Sequence, residues 1–139
     1  MAKKRVVKSR VEKPYNHGTM SESAFWGMIR SALRQKSRWW KPVTEVKKLA
    51  KRTKKDGGRQ KFEYQCAMCK GWFKDKEVQV DHIEESGALK GKEDVGDFIV
   101  KLFCEVDGLQ VLCNKREDGV ESCHRKKTNT YMKSKKLTN

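Results

Sequence analysis

The sequence predicts an α+β domain stapled by a metal ion and preceded by a basic helical region. Three observations predict it: cysteines placed at the ends of short strand-like runs, helical apolar periodicity in the first third, and a charge imbalance confined to the first half. The formal charge of the 139 residues is +15. Met1 to Lys61 holds 19 Lys+Arg against 4 Asp+Glu, giving +15, whereas Phe62 to Asn139 holds 14 against 14, giving zero. A chain split in this way pairs a region suited to a polyanion with a neutral region free to hold a cation.

Nucleic acid is the polyanion that such a basic segment favours. Phosphate contacts release counterions, so affinity from this source is salt-sensitive and largely blind to sequence. A membrane surface is not the expected partner, because the basic residues flank neither a sufficiently apolar face nor a lipidation motif. No segment approaches the roughly 20 apolar residues of a membrane-spanning helix, and MAKKRVVKSR lacks the apolar stretch of a secretory signal. A cytoplasmic location is expected, and in that reducing compartment five cysteines argue for metal over disulfides. A hydrophobic fraction of 36% is low for a domain held by its core alone.

Taken in order, residues 1–19 mix basic residues with Pro14, Asn16 and Gly18 and read as a basic flexible arm. Residues 20–61 read as a basic helical hairpin and linker. Ser21 or Ser23 caps a helix through about Gln35, whose Phe25, Met28, Ile29, Ala32 and Leu33 share one stripe. TEVKKLAKR reads as a second helix capped by Thr44, with Val46, Leu49 and Ala50 facing inward. Trp39 and Trp40, just before it, are expected to pack between the two helices, with stacking on bases the alternative. KKDGGRQK is a linker or turn.

Residues 62–139 carry the neutral region. FEYQC is a strand entering Cys66-Ala-Met-Cys69, with Gly71 completing a tight knuckle; Glu77 to Asp81 is the next strand. A helix follows from about Glu93 to Glu105, with Val95, Phe98, Ile99, Leu102 and Phe103 at helical spacing. LQVLC is a strand ending at Cys113, and Ser122 or Cys123 opens a last helix.

Cys66 and Cys69 have knuckle spacing, which lets two thiolates reach one tetrahedral ion. Cys113 and Cys123 supply the other two ligands if the polar NKREDGVES loop bulges outward. A structural Zn²⁺ site is the reading, with Cys104 a packed core residue or a substitute for Cys123. The strand through Val78 and Val80 delivers Asp81 and His82 to opposite faces, so the pair can serve two partners, one a metal and the other a proton.

In the order Cys66-x-x-Cys69, Asp81-His82, LQVLC and Cys123-His124-x-x-Lys127-Thr128, these residues resemble the HNH endonuclease family over roughly Tyr64 to Thr130. The resemblance implies a ββα-metal fold of two strands and a helix around one catalytic divalent ion, Mg²⁺ or Mn²⁺, braced here by zinc. It also implies Asp81 and His124 as ligands of that ion and His82 as general base. DNA is the implied substrate, and RNA suits the same charge. Arg125, Lys126 and Lys127 beside the site, with Lys47, Lys48, Lys51 and Arg52 on the second helix, are the expected nucleic-acid contacts. Glu84 and Glu85 are expected to point away from the phosphate, and His17 to take no part.

The family's asparagine before the Leu-Gln strand is replaced by Gly108, so Asp107 or Asn114 would have to orient the base. Together with SESAFWGMIRSALRQKSRWWKP, the whole is similar to small HNH proteins of bacteriophages, which would put it in a host bacterial cytoplasm. Two alternatives to an endonuclease remain at this point: a zinc-containing nucleic-acid-binding protein without turnover, and a zinc-braced module that docks on a protein.

Overall fold

The computed structural model describes residues 9–137. It is a mixed α+β fold; among the described residues it has four α-helices and two small antiparallel sheets. Residues 1–8 of the expected arm lie outside the described residues. Its remainder is not free of the body: Tyr15 stacks on Phe25 at 4.2 Å, and a turn through Asn16, His17 and Gly18, all at positive φ, closes on Met20.

Helix α1 runs Glu22–Ser37, with the Ser21 Oγ accepting the Ala24 N–H at 3.2 Å. Its packing stripe is Trp26, Ile29 and Leu33, set against Leu89, Phe98 and Leu102. Met28 and Ala32 of the expected stripe are exposed. Helix α2 runs Lys41–Leu49, earlier at both ends than the sequence suggests. Pro42 in the first turn needs no N–H partner and starts the helix there, with Trp40 rather than Thr44 at the cap position.

The chain leaves α2 as strand β1, Lys51–Thr53, which pairs with β2, Phe62–Gln65. Arg52 is therefore on a strand, and Leu49 is 76% exposed instead of facing inward. KKDGGRQK is the loop of this hairpin, closed by the Lys54 N–H on the Lys61 carbonyl at 2.8 Å. Strand β3, Trp72–Phe73, completes the first sheet in the order β1-β2-β3.

Strand β4, Val78–His82, pairs with β5, Leu109–Cys113, matching Val80 with Val111 and His82 with Leu109. Val46 of α2 joins Val78, Leu109 and Val111 in one buried cluster, so α2 shares its core with the region after residue 62. The main contacts of α1 are with helix α3, Val95–Leu102, and those of α2 are with β5. The two N-terminal helices thus cover different parts of the body. Helix α3 is shorter than the expected 93–105; short 3₁₀ turns flank it, and Ile99 is exposed while Phe98 and Leu102 are buried. Each such burial stabilises by about 2 kcal/mol. Helix α4, Cys123–Leu137, lies against β5.

Candidate functional site

The knuckle between β2 and β3 forms because the chain reverses within four residues. The Cys66 N–H donates to the Gly71 carbonyl at 2.9 Å and the Lys70 N–H to the Cys66 carbonyl at 3.0 Å. Lys70, not Gly71, takes the left-handed conformation, with φ at 61°. Gly71 serves by smallness, since a Cβ there would press to 3.0 Å from the Phe73 ring. The Ala67 N–H donates to the Val111 carbonyl at 2.8 Å, fastening the knuckle onto β5. Cys113 ends β5 and Cys123 begins α4, and the Cys123 N–H donates to the Cys113 Sγ at 3.3 Å.

The ligand atoms of Cys66, Cys69, Cys113 and Cys123 all lie within 4.8 Å of one another, and no disulfide joins them. Among the described residues this is the one set of three or more His, Cys, Asp or Glu gathered so closely. The four cysteines are positioned to bind a metal ion, and four soft sulfur ligands in a knuckle are consistent with structural zinc. Burial acts to raise the Cys66 thiol, but the backbone N–H groups of Cys69, Cys113 and Met68 outweigh it and hold it at about 7. Burial and then the neighbouring thiols push Cys123 up to about 12, and burial raises Cys113. The backbone donors thus converge on the Cys66 sulfur. Cys104 lies outside this set, packed against the cluster of Val46, Val78, Leu109 and Val111.

At the other end of the β4–β5 pair, Asp81 and His82 leave the sheet on opposite faces. His82 continues the face of Val78 and Val80, and its Nε2 lies 2.9 Å from the Leu102 carbonyl. A carbonyl only accepts, so Nε2 carries a proton, and in the neutral ring Nδ1 is the acceptor. Asp81 turns towards α4, where its Oδ2 receives the Lys127 ammonium at 2.6 Å. Lys127 also donates to the His82 carbonyl and pairs with Glu85 at 3.4 Å. Glu85 thus faces the site, contrary to expectation, while Glu84 is drawn off by Lys101 at 3.2 Å. His124 sits three residues before Lys127 on α4, a spacing that shares one helix face. Lys127 of that helix is the residue that reaches the end of β4.

Gly108 has a steric cause. A Cβ there would stand 2.8 Å from the Cys104 Sγ, so no larger residue fits without displacing the segment. Its carbonyl accepts the Ile83 N–H at 3.0 Å, fixing the chain just after His82. The ring is held by Leu102 and not by Asp107 or Asn114; a backbone carbonyl from a helix end carries no side-chain signal that sequence reading could find.

A cavity of about 670 Å³ adjoins this end, with Met68, Ile83 and Tyr131 as its apolar lining and Lys101, Lys126 and Lys127 as cations. Arg125 is paired loosely with Glu121 at 3.9 Å. The other expected nucleic-acid contacts are partly neutralised within the chain: Lys47 by Asp75 at 2.5 Å, Lys48 by Glu45 at 3.4 Å and Arg52 by Glu63 at 2.7 Å. Lys51 lies over the Phe62 ring.

No family model, no curated protein and no solved structure matches this chain. Among the described residues, no helix is long and apolar enough to cross a membrane.

Proposed function

We propose that the protein is an HNH-type endonuclease that hydrolyses DNA phosphodiester bonds, with β4, β5 and α4 as a ββα-metal unit braced by a thiolate-bound zinc ion. The observation that carries the reading is the tie from Lys127 of α4, the helix that also bears His124, to both Asp81 and the His82 carbonyl at the end of β4. A hard divalent ion between Asp81 and His124 would neutralise charge developing on the phosphate and the departing 3′ oxygen. Asp81 and His124 would hold such an ion, and one carboxylate and one imidazole would leave positions for water and phosphate oxygens.

His82 takes the proton of the attacking water at Nδ1, because Leu102 occupies its other nitrogen and sets the tautomer. Lys127 pairs with Asp81 at 2.6 Å and carries positive charge beside the phosphate. The basic first half supplies most of the affinity, and little sequence choice follows from it.

One observation favours a second reading, a zinc-containing nucleic-acid-binding protein without turnover: the ammonium already neutralises the carboxylate that would hold the catalytic ion. Incubation of supercoiled plasmid with Mg²⁺ or Mn²⁺, beside the His82→Ala variant, separates the two. The nuclease reading predicts relaxation by the wild type and a rate about a hundredfold lower or less in the variant. Equal cutting by both proteins would reject His82 as the base. Tight, salt-sensitive binding with no cutting by either would favour the second reading.

A further inference from the structure

The two adjacent tryptophans have opposite fates. Trp40 turns inward: its indole N–H donates to the Cys104 carbonyl at 2.7 Å, and its ring meets Phe103 edge-on at 5.6 Å. Trp39 is 85% exposed. Its backbone is not loose, because the Trp39 N–H donates to the Lys36 carbonyl and the Trp40 N–H to the Ser37 carbonyl, both at 3.1 Å. A rigid turn therefore presents the largest apolar side chain of the repertoire to water, forgoing its burial.

Its setting selects the partner. Lys36, Arg38 and Lys41 flank it, all exposed, and no acidic residue lies between Glu22 and Glu45. These cations thus have no acidic neighbour in sequence, unlike Lys47, Lys48 and Arg52, which are paired within the fold. A flat aromatic face among cations suits a nucleobase stacked on the ring with its phosphates held at the rim. The turn is also anchored where the proposed base is anchored: Trp40 bonds to Cys104, two residues beyond the Leu102 carbonyl that holds His82.

We infer that Trp39 is a stacking platform for an unpaired nucleobase of the nucleic acid that the basic half binds. This rests on the nucleic-acid partner of the proposed function and not on turnover. A base lifted onto Trp39 would hold the strand through a fixed turn joined to the Leu102–Cys104 segment. Single-stranded or gapped DNA is then preferred to intact duplex.

The test is fluorescence anisotropy of a labelled oligothymidylate and of a duplex at several salt concentrations, for wild type, Trp39→Ala and Trp39→Phe. Trp39→Ala should bind the single strand about tenfold more weakly or worse, and Trp39→Phe should recover most of the loss. The slope of affinity against salt should stay unchanged, because no phosphate contact is removed. Affinity for the single strand within twofold of wild type in Trp39→Ala, or a Phe variant as weak as the Ala variant, would overturn the inference. So would unchanged DNA binding with lost sedimentation on phosphatidylserine vesicles, which would assign the ring to lipid. Should the wild type fail to cut plasmid while Trp39→Ala still loses affinity, the platform stands and the nuclease reading falls.

Discussion

At the scale of residues, Lys127 links the parts of the site. It is 18% exposed and its ammonium serves Asp81, Glu85 and the His82 carbonyl at once. Removing it leaves two carboxylates facing one another with no cation between them, a mostly buried like-charge pair. Lys127→Met should therefore lose about 2 kcal/mol of stability in urea unfolding, and Mn²⁺ should stabilise the variant more than the wild type, because there it takes the same oxygens without displacing an ammonium. Equal unfolding midpoints for the two proteins without metal would contradict this role. The sequence made Asp81 and His82 legible, because alternating valines place them at a strand exit. It did not reveal that Lys127 reaches Asp81 across 46 positions, or that Glu85 turns inward to share it. Such pairings depend on how α4 lies over the sheet, which no local pattern encodes.

At the scale of elements, the strand Leu109–Cys113 was legible to the residue, since a short apolar run between Gly108 and a polar loop has few other readings. The second helix was less so. Its lysine-rich end favours helix by propensity, yet Lys51, Arg52 and Thr53 pair with Tyr64, Glu63 and Phe62, and the Gln65 N–H takes the Ala50 carbonyl. Partner strands from further along the chain overrode local preference. The thiol centre was legible from knuckle spacing on one side only, because the loop between Cys113 and Cys123 brings its ends together through tertiary contacts. Its titration gives a prediction with a definite sign. Burial raises Cys113 and pushes Cys123, with its neighbouring thiols, up to about 12, so Zn²⁺ uptake near neutral pH must expel at least those two protons. As pH falls through about 7, Cys66 also gains a proton and competes with the ion, so zinc binding weakens faster. Calorimetric titration of metal-free protein in buffers of different ionisation enthalpy should show this release; proton-neutral uptake would contradict it.

At the scale of the molecule, one small fold joins three clusters: α2 with the β4–β5 sheet, the thiol centre, and α1 with α3. The thiol centre ties β2 and β3 to β5 and α4, so an ion there fixes the helix that bears His124 relative to the strand that bears Asp81. The proposed function calls for a second site, of oxygen and nitrogen for a harder ion, apart from the sulfur site. Anomalous scattering from crystals grown with Zn²⁺ and Mn²⁺ distinguishes them by element and position. The account predicts a zinc peak among Cys66, Cys69, Cys113 and Cys123 and a separate manganese peak bonded to both Asp81 and His124, with the Lys127 ammonium displaced from the carboxylate. A zinc peak alone, with Lys127 still on Asp81 at saturating Mn²⁺, would contradict it.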